Sequence, residues 1–157
     1  MEPTSRKYLF FDLDGTLTDS MPGIARAVQY ALRRFGIDVQ DLAALKPFLG
    51  PPLRDSFMEF YGMSPEEADR AVAVSREYFV PRGMFENELY PGIPELLAAT
   101  AAAGRVNVIA TSKPQPFAER IAAHFGIDRH FRLISGSTFD GRRKTKADGI
   151  RPALSAP

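Results

Sequence analysis

The chain has 157 residues, 45% of them hydrophobic and 25% charged, with a formal net charge of +1. That is ordinary globular composition, enough for one core or for one core with a small inserted unit, and it points to neither a nucleic-acid nor a membrane surface. Cysteine is absent, which excludes disulfides and thiol catalysis.

In chain order, residues 1–7 are polar, and the apolar run Tyr8–Phe11 (YLFF) is far shorter than a signal core or a membrane span. A cytoplasmic protein is therefore expected, with YLFF as a first buried strand. Ile24, Val28, Ala31, Leu32 and Phe35 then form one apolar helical stripe, ended by Gly36. Leu53, Phe57 and Phe60 form a second, ended by Gly62. Ser64, Pro65, Glu66 and Glu67 read as a capping box with proline at the first helical position, opening a third helix through Phe79. Residues 92–103 (GIPELLAATAAA) are a helix stopped by Gly104. A second strand is expected at 106–110 (VNVIA), a helix carrying Phe117, Ala118, Ile121, Ala122 and Phe125, and a third strand at 131–135 (FRLIS).

Strands alternating with helices predict a parallel α/β sheet of Rossmann-like type. Roughly 70 residues of helix after the first strand exceed an ordinary crossover. The expected organisation is therefore a core made of residues 1–18 and 89–157, with a helical cap domain at 19–88 and hinges near residues 19–23 and 88–92.

Ligands of such sheets bind beyond the carboxyl ends of the strands. Asp12 and Asp14 stand at such an end, and Gly15 frees the backbone to turn. Two carboxylates so close repel unless a positive partner joins them, which suits Mg²⁺, and a carboxylate beside Mg²⁺ can attack a phosphate ester. The same pattern also suits a strand ending in an Asx turn. The second strand runs into Thr111, Ser112 and Lys113, where a hydroxyl suits phosphate oxygens or caps the next helix. After the third strand come Arg142, Arg143, Lys144 and Lys146, a solvated face from which one lysine can neutralise a phosphate.

These features together resemble the haloacid-dehalogenase-like phosphatases: Asp12-Leu13-Asp14-Gly15-Thr16, Thr111 after a hydrophobic strand, a lysine after the third strand, and a helical insert like their cap. FLGPPLRDSF (48–57), NELYPGIPELL (87–97) and ATSKP (110–114) are similar to the phosphoglycolate-phosphatase branch and its 5′-nucleotidase-like relatives. The resemblance implies Mg²⁺-dependent hydrolysis of a small phosphorylated metabolite, phosphoglycolate or a nucleoside monophosphate, through an aspartyl-phosphate. Asp12 matches the nucleophile, Asp14 the acid/base, Thr111 the phosphate-binding hydroxyl, and Lys146 the conserved-role lysine, with Lys144 the weaker candidate. Asp12 and the main-chain carbonyl of Asp14 would hold the metal. Gly15, Thr16, Ser112 and Lys113 would line the phosphate, and Arg54 is the cap residue expected to reach the substrate, although an exposed solvated arginine accounts for it as well.

The family carries a fourth motif, a strand followed by Gly-Asp and a further acid, that completes the Mg²⁺ site. After Lys146 this sequence runs ADGIRPALSAP without that strand, and Pro152 is unfavourable inside a helix. The expectation is a chain truncated before that motif, with YLFF exposed as a sheet edge through which copies self-associate. A catalytically impaired fragment that keeps the fold and binds phosphate and Mg²⁺ weakly is the alternative. A phospho-accepting receiver domain also uses strand-end acids, a hydroxyl and a lysine, but the helical insert argues against it.

Overall fold

The structure is a computed structural model that describes residues 7–140, 142–143 and 145–155. The chain divides into two compact units, one formed by Met1–Leu17 with Leu89–Pro157, the other by Thr18–Glu88.

The first unit is built on a parallel sheet of three strands in the order β1-β4-β5, with β1 at Tyr8–Phe11, β4 at Val106–Pro114 and β5 at Leu133–Ser137. Tyr8 stands opposite Val106 and Phe11 opposite Ile109, while Val108 stands opposite Leu133 and Ala110 opposite Ser135. Helices α4 (Ile93–Ala102), α5 (Gln115–His124) and α6 (Lys146–Ser155) pack on these strands. The strands read as near-continuous apolar runs because helices cover the sheet. Val108, Ile109 and Ala110 are buried with Leu97 of α4 and Ala118, Ile121 and Ala122 of α5. Two further short strands, β2 (Thr18–Asp19) and β3 (Glu88–Leu89), form a separate two-stranded sheet.

The second unit is helical. Helix α1 (Met21–Arg34) packs on α3 (Pro65–Phe79), and α2 (Leu53–Tyr61) packs on α3. The stripe Ile24, Val28, Ala31, Leu32 is the buried face of α1. The capping box forms as the sequence predicts: Glu67 N–H donates to Ser64 Oγ at 3.2 Å, and Ser64 N–H to Glu67 Oε2 at 2.9 Å. A 3₁₀ segment, Leu42–Phe48, was not evident from the sequence; Asp41 opens it by accepting from Ala43 N–H at 2.9 Å. Phe48 meets Phe57 edge-on at 5.1 Å between ring centroids, inside the unit's core.

Two strand boundaries differ from the sequence expectation. The second strand extends past residue 110 to Pro114, so Thr111, Ser112 and Lys113 belong to it and Pro114, not a hydroxyl, precedes α5. The extension works because β4 bulges. Ala110 pairs with Ser135, yet the next pair is Pro114 with Ser137, so four steps of one strand match two of the other. The third strand begins two residues later than expected. Phe131 N–H turns back to Asp128 carbonyl at 3.1 Å, and the strand continues through Gly136 and Ser137, beyond its expected end at residue 135. Helix α6 runs through Pro152. Among the described residues no helix is long and apolar enough to cross a membrane.

Candidate active site

The turn after β1 fixes the first acid. Thr16 N–H and Leu17 N–H both donate to the Leu13 carbonyl, at 3.2 and 3.0 Å. Gly15 sits at φ 75°, a left-handed conformation that disfavours any side chain. Asp12 Oδ1 accepts from Leu13 N–H at 2.8 Å, and Asp12 Oδ2 lies 2.5 Å from Lys146 Nζ. Gly15 and Thr16 are exposed in the same turn.

Lys146 reaches that point because α6 starts in the right place. Thr145 N–H donates to Asp148 Oδ2 and Asp148 N–H to Thr145 Oγ1, both at 3.2 Å, a reciprocal cap that makes Lys146 the first residue of the helix. Asp148, the acid that follows Lys146, is thereby used as a cap. The helix seats on β5 through Gly149, where an added Cβ would fall 1.9 Å from Ser135 Oγ. Lys144 lies outside the described residues.

The bulge in β4 presents the third group. Thr111 is buried, and its Oγ1 accepts from Lys113 N–H at 3.1 Å, an acceptor role that leaves the hydroxyl hydrogen to donate. Ser112 is half-buried beside it. Gln115 ties this segment to β5: its Nε2 donates to the Ile134 carbonyl, and its Oε1 accepts from Gly136 N–H, each at 2.6 Å. The side-chain amide thus satisfies backbone groups that the bulge takes out of the ladder.

Lys113 also faces an acid. Its Nζ lies 3.2 Å from Asp14 Oδ2, with the two side chains only 7% and 10% exposed. The sequence reading assigned Lys113 to the phosphate and missed this pair. A strand expected to end at residue 110 gives Lys113 no defined face, so the sequence carried no signal for the pair. Asp14 Oδ1 is buried without a hydrogen-bond partner, so a donor group brought by substrate or water would satisfy it.

Asp12, Asp14, Thr111, Lys113 and Lys146 are thus all supplied by the sheet unit. Arg54 belongs to the helical unit, on α2, where its Nε donates to Asp69 Oδ1 of α3 at 2.7 Å. Among the described residues no group of three or more His, Cys, Asp or Glu side chains could hold a metal. The Asp12 carboxylate and the Asp14 main-chain carbonyl are hard oxygen donors of the kind Mg²⁺ takes, with water and phosphate oxygens commonly completing its shell. The donor set fits the ion as such a partial shell.

Residues 9–156 match the family described as haloacid dehalogenase-like hydrolase, and the chain belongs to that family. It is 51% identical over 146 residues to a 5′-nucleotidase of Pseudomonas aeruginosa, covering 93% of this chain and 66% of that protein. It is 39% identical over 150 residues to the tyrosine-protein kinase PtkA of Mycobacterium tuberculosis, covering 96% of this chain and 51% of that protein. Among solved structures, a predicted phosphatase from Clostridium acetobutylicum superposes with a TM-score of 0.90 at 48% identity, covering 94% of this chain and 68% of that one. The chain therefore spans one half to two thirds of these relatives.

Proposed function

We propose that this chain carries the phosphoryl-transfer site of a cytoplasmic phosphomonoesterase, with Asp12 as the nucleophile. The observation that carries the reading is that Lys146 pairs with Asp12 and Lys113 with Asp14 beyond the carboxyl end of β1, with Thr111 buried two residues before Lys113 on β4. Similarity to proteins named 5′-nucleotidase and predicted phosphatase supports it.

In this reading an Asp12 oxygen attacks phosphorus, and the bond from phosphorus to the ester oxygen breaks. Asp14 gives that oxygen its proton. Water then attacks phosphorus, Asp14 takes a proton from it, and the Asp12–phosphorus bond breaks to release phosphate. Lys146 neutralises charge between the nucleophile and the phosphoryl oxygens, while the Thr111 hydroxyl and the Gly15–Thr16 turn hold those oxygens. Mg²⁺, held by Asp12 and the Asp14 main-chain carbonyl, would supply further neutralisation of the phosphoryl charge. The helical unit 18–88 acts as the cap, restricting substrates to small esters such as a nucleoside monophosphate or phosphoglycolate.

Hydrolysis of p-nitrophenyl phosphate with Mg²⁺ tests the assignment. Asp12→Asn should reduce turnover to the uncatalysed background, because no other acid follows directly on a strand end of this sheet. Near-normal kcat in that variant would remove Asp12 from the role.

A second reading, phosphate and Mg²⁺ binding without useful turnover, is favoured because the described residues offer no group of three or more His, Cys, Asp or Glu side chains that could hold a metal. It predicts measurable phosphate binding, weak Mg²⁺ binding in a calorimetric titration, and wild-type hydrolysis no faster than Asp12→Asn. We further propose self-association through β1, which pairs only with β4 among the described strands and leaves Phe10 40% exposed.

A further inference from the structure

We propose that Lys113 is a positioning residue that acts through Asp14, fixing that carboxyl group by one oxygen so that the other is left for proton transfer. The inference rests on the acid/base role proposed for Asp14 and assigns Lys113 a task distinct from that of Lys146.

The two lysines occupy different environments. Lys146 is about half exposed and pairs with an acid that is itself partly open, at 46% and 29% side-chain exposure. A lysine so placed can turn from the carboxylate to an incoming phosphate. Lys113 is enclosed, with its side chain 7% exposed against Asp14 at 10%. Taking an ammonium and a carboxylate out of water is unfavourable for each alone and is offset only while they stay paired. Drawing Lys113 toward a phosphate would take from the Asp14 carboxylate the ammonium that offsets its burial. A role on the carboxylate therefore fits the burial better than a role on the substrate.

The backbone that carries Lys113 is fixed from two sides. Its N–H donates to Thr111 Oγ1 at 3.1 Å, and its carbonyl lies where a Cβ on Gly136 would come within 2.5 Å. A long, flexible side chain rooted on such a segment can hold its target at a set distance. The contact falls on Asp14 Oδ2, whereas Asp14 Oδ1 has no hydrogen-bond partner although it is buried. A carboxyl group anchored through one oxygen loses rotation and presents the other in one orientation, which is what donating a proton to a leaving group and then accepting one from water requires.

Lysine ammonium signals in proton–nitrogen NMR of the whole chain test this with or without turnover. The Lys113 ammonium should be protected from exchange with water, and Asp14→Asn should abolish that protection while Asp12→Asn leaves it intact. Inorganic phosphate should move the Lys146 signal and leave that of Lys113 in place. In steady-state hydrolysis, Lys113→Met should lower kcat for an alkyl phosphate by on the order of 10²-fold, with KM little changed. It should affect p-nitrophenyl phosphate much less, add little to Asp14→Asn, and be partly rescued by Lys113→Arg. A Lys113 signal that follows phosphate and ignores Asp14→Asn would overturn the inference, as would a Lys113→Met variant that raises KM equally for every ester. Full turnover in Asp12→Asn would instead overturn the reading of the site, and the protection of Lys113 by Asp14 is measured independently of it.

Discussion

Lys146 Nζ and Asp12 Oδ2 lie 2.5 Å apart although 134 residues separate them in the chain. The contact joins the start of α6, a helix that packs on β5, to the residue after β1, although β4 lies between β1 and β5 in the sheet. It depends on where α6 begins and on how closely that helix approaches β5. Thr145 and Asp148 set the first, and Gly149 against Ser135 sets the second.

Removing the ammonium should therefore weaken both phosphate binding and turnover. Lys146→Ala is expected to lower kcat and phosphate affinity far more than Lys144→Ala. Lys146→Arg should restore only part, because a planar fork replaces a compact point charge. Steady-state kinetics with inorganic phosphate as inhibitor reads both quantities, and the reverse ranking of the two alanine variants would move the role to Lys144.

Gly149→Ala should displace the helix rather than any site residue directly. Its Cβ would fall 1.9 Å from Ser135 Oγ, on a serine that is itself buried in β5. Overpacking of this kind costs about 1–3 kcal/mol. The expected result is a lower unfolding midpoint together with loss of the Lys146–Asp12 contact, seen as a Lys146 ammonium signal that no longer responds to Asp12→Asn. An unchanged midpoint and an intact response would show that α6 absorbs the methyl group.

The free side of β1 should make the chain self-associate. Phe10, 40% exposed, offers apolar surface on a strand that pairs only with β4 among the described strands. Sedimentation should show mass increasing with concentration, and Phe10→Lys should shift the distribution toward monomer by placing a charge on the edge. A wild-type chain that stays monomeric at all concentrations would remove β1 as an interface.

Much of this arrangement was legible in the sequence wherever a residue type has few uses. Two aspartates after YLFF have little role in a core, and the Ser64–Glu67 capping box and the α1 stripe carry their own local logic. The bulge was not legible. TSKP reads as polar loop or cap, and only a parallel partner shows that residues 111–114 stay in the ladder, with the Gln115 amide standing in for lost backbone bonds. The Lys113–Asp14 pair was hidden for the same reason, because its face is defined only once the strand is extended. For Lys146 over Lys144 a local signal did exist: Thr145 and Asp148 are spaced as a reciprocal cap and place the helix start at Lys146. The 3₁₀ segment Leu42–Phe48 has no period long enough to announce itself.

The central claim is that phosphate passes through Asp12, and trapping the acyl-phosphate tests it most directly. The chain would be mixed with Mg²⁺ and a small phosphate donor, quenched in acid within the turnover time, digested and examined by mass spectrometry. One phosphoryl group is expected on the peptide containing Asp12, lost in Asp12→Asn and accumulating in Asp14→Asn, where the water step is slowed. Absence of the label on Asp12 during turnover, or a label on a different residue, would contradict it.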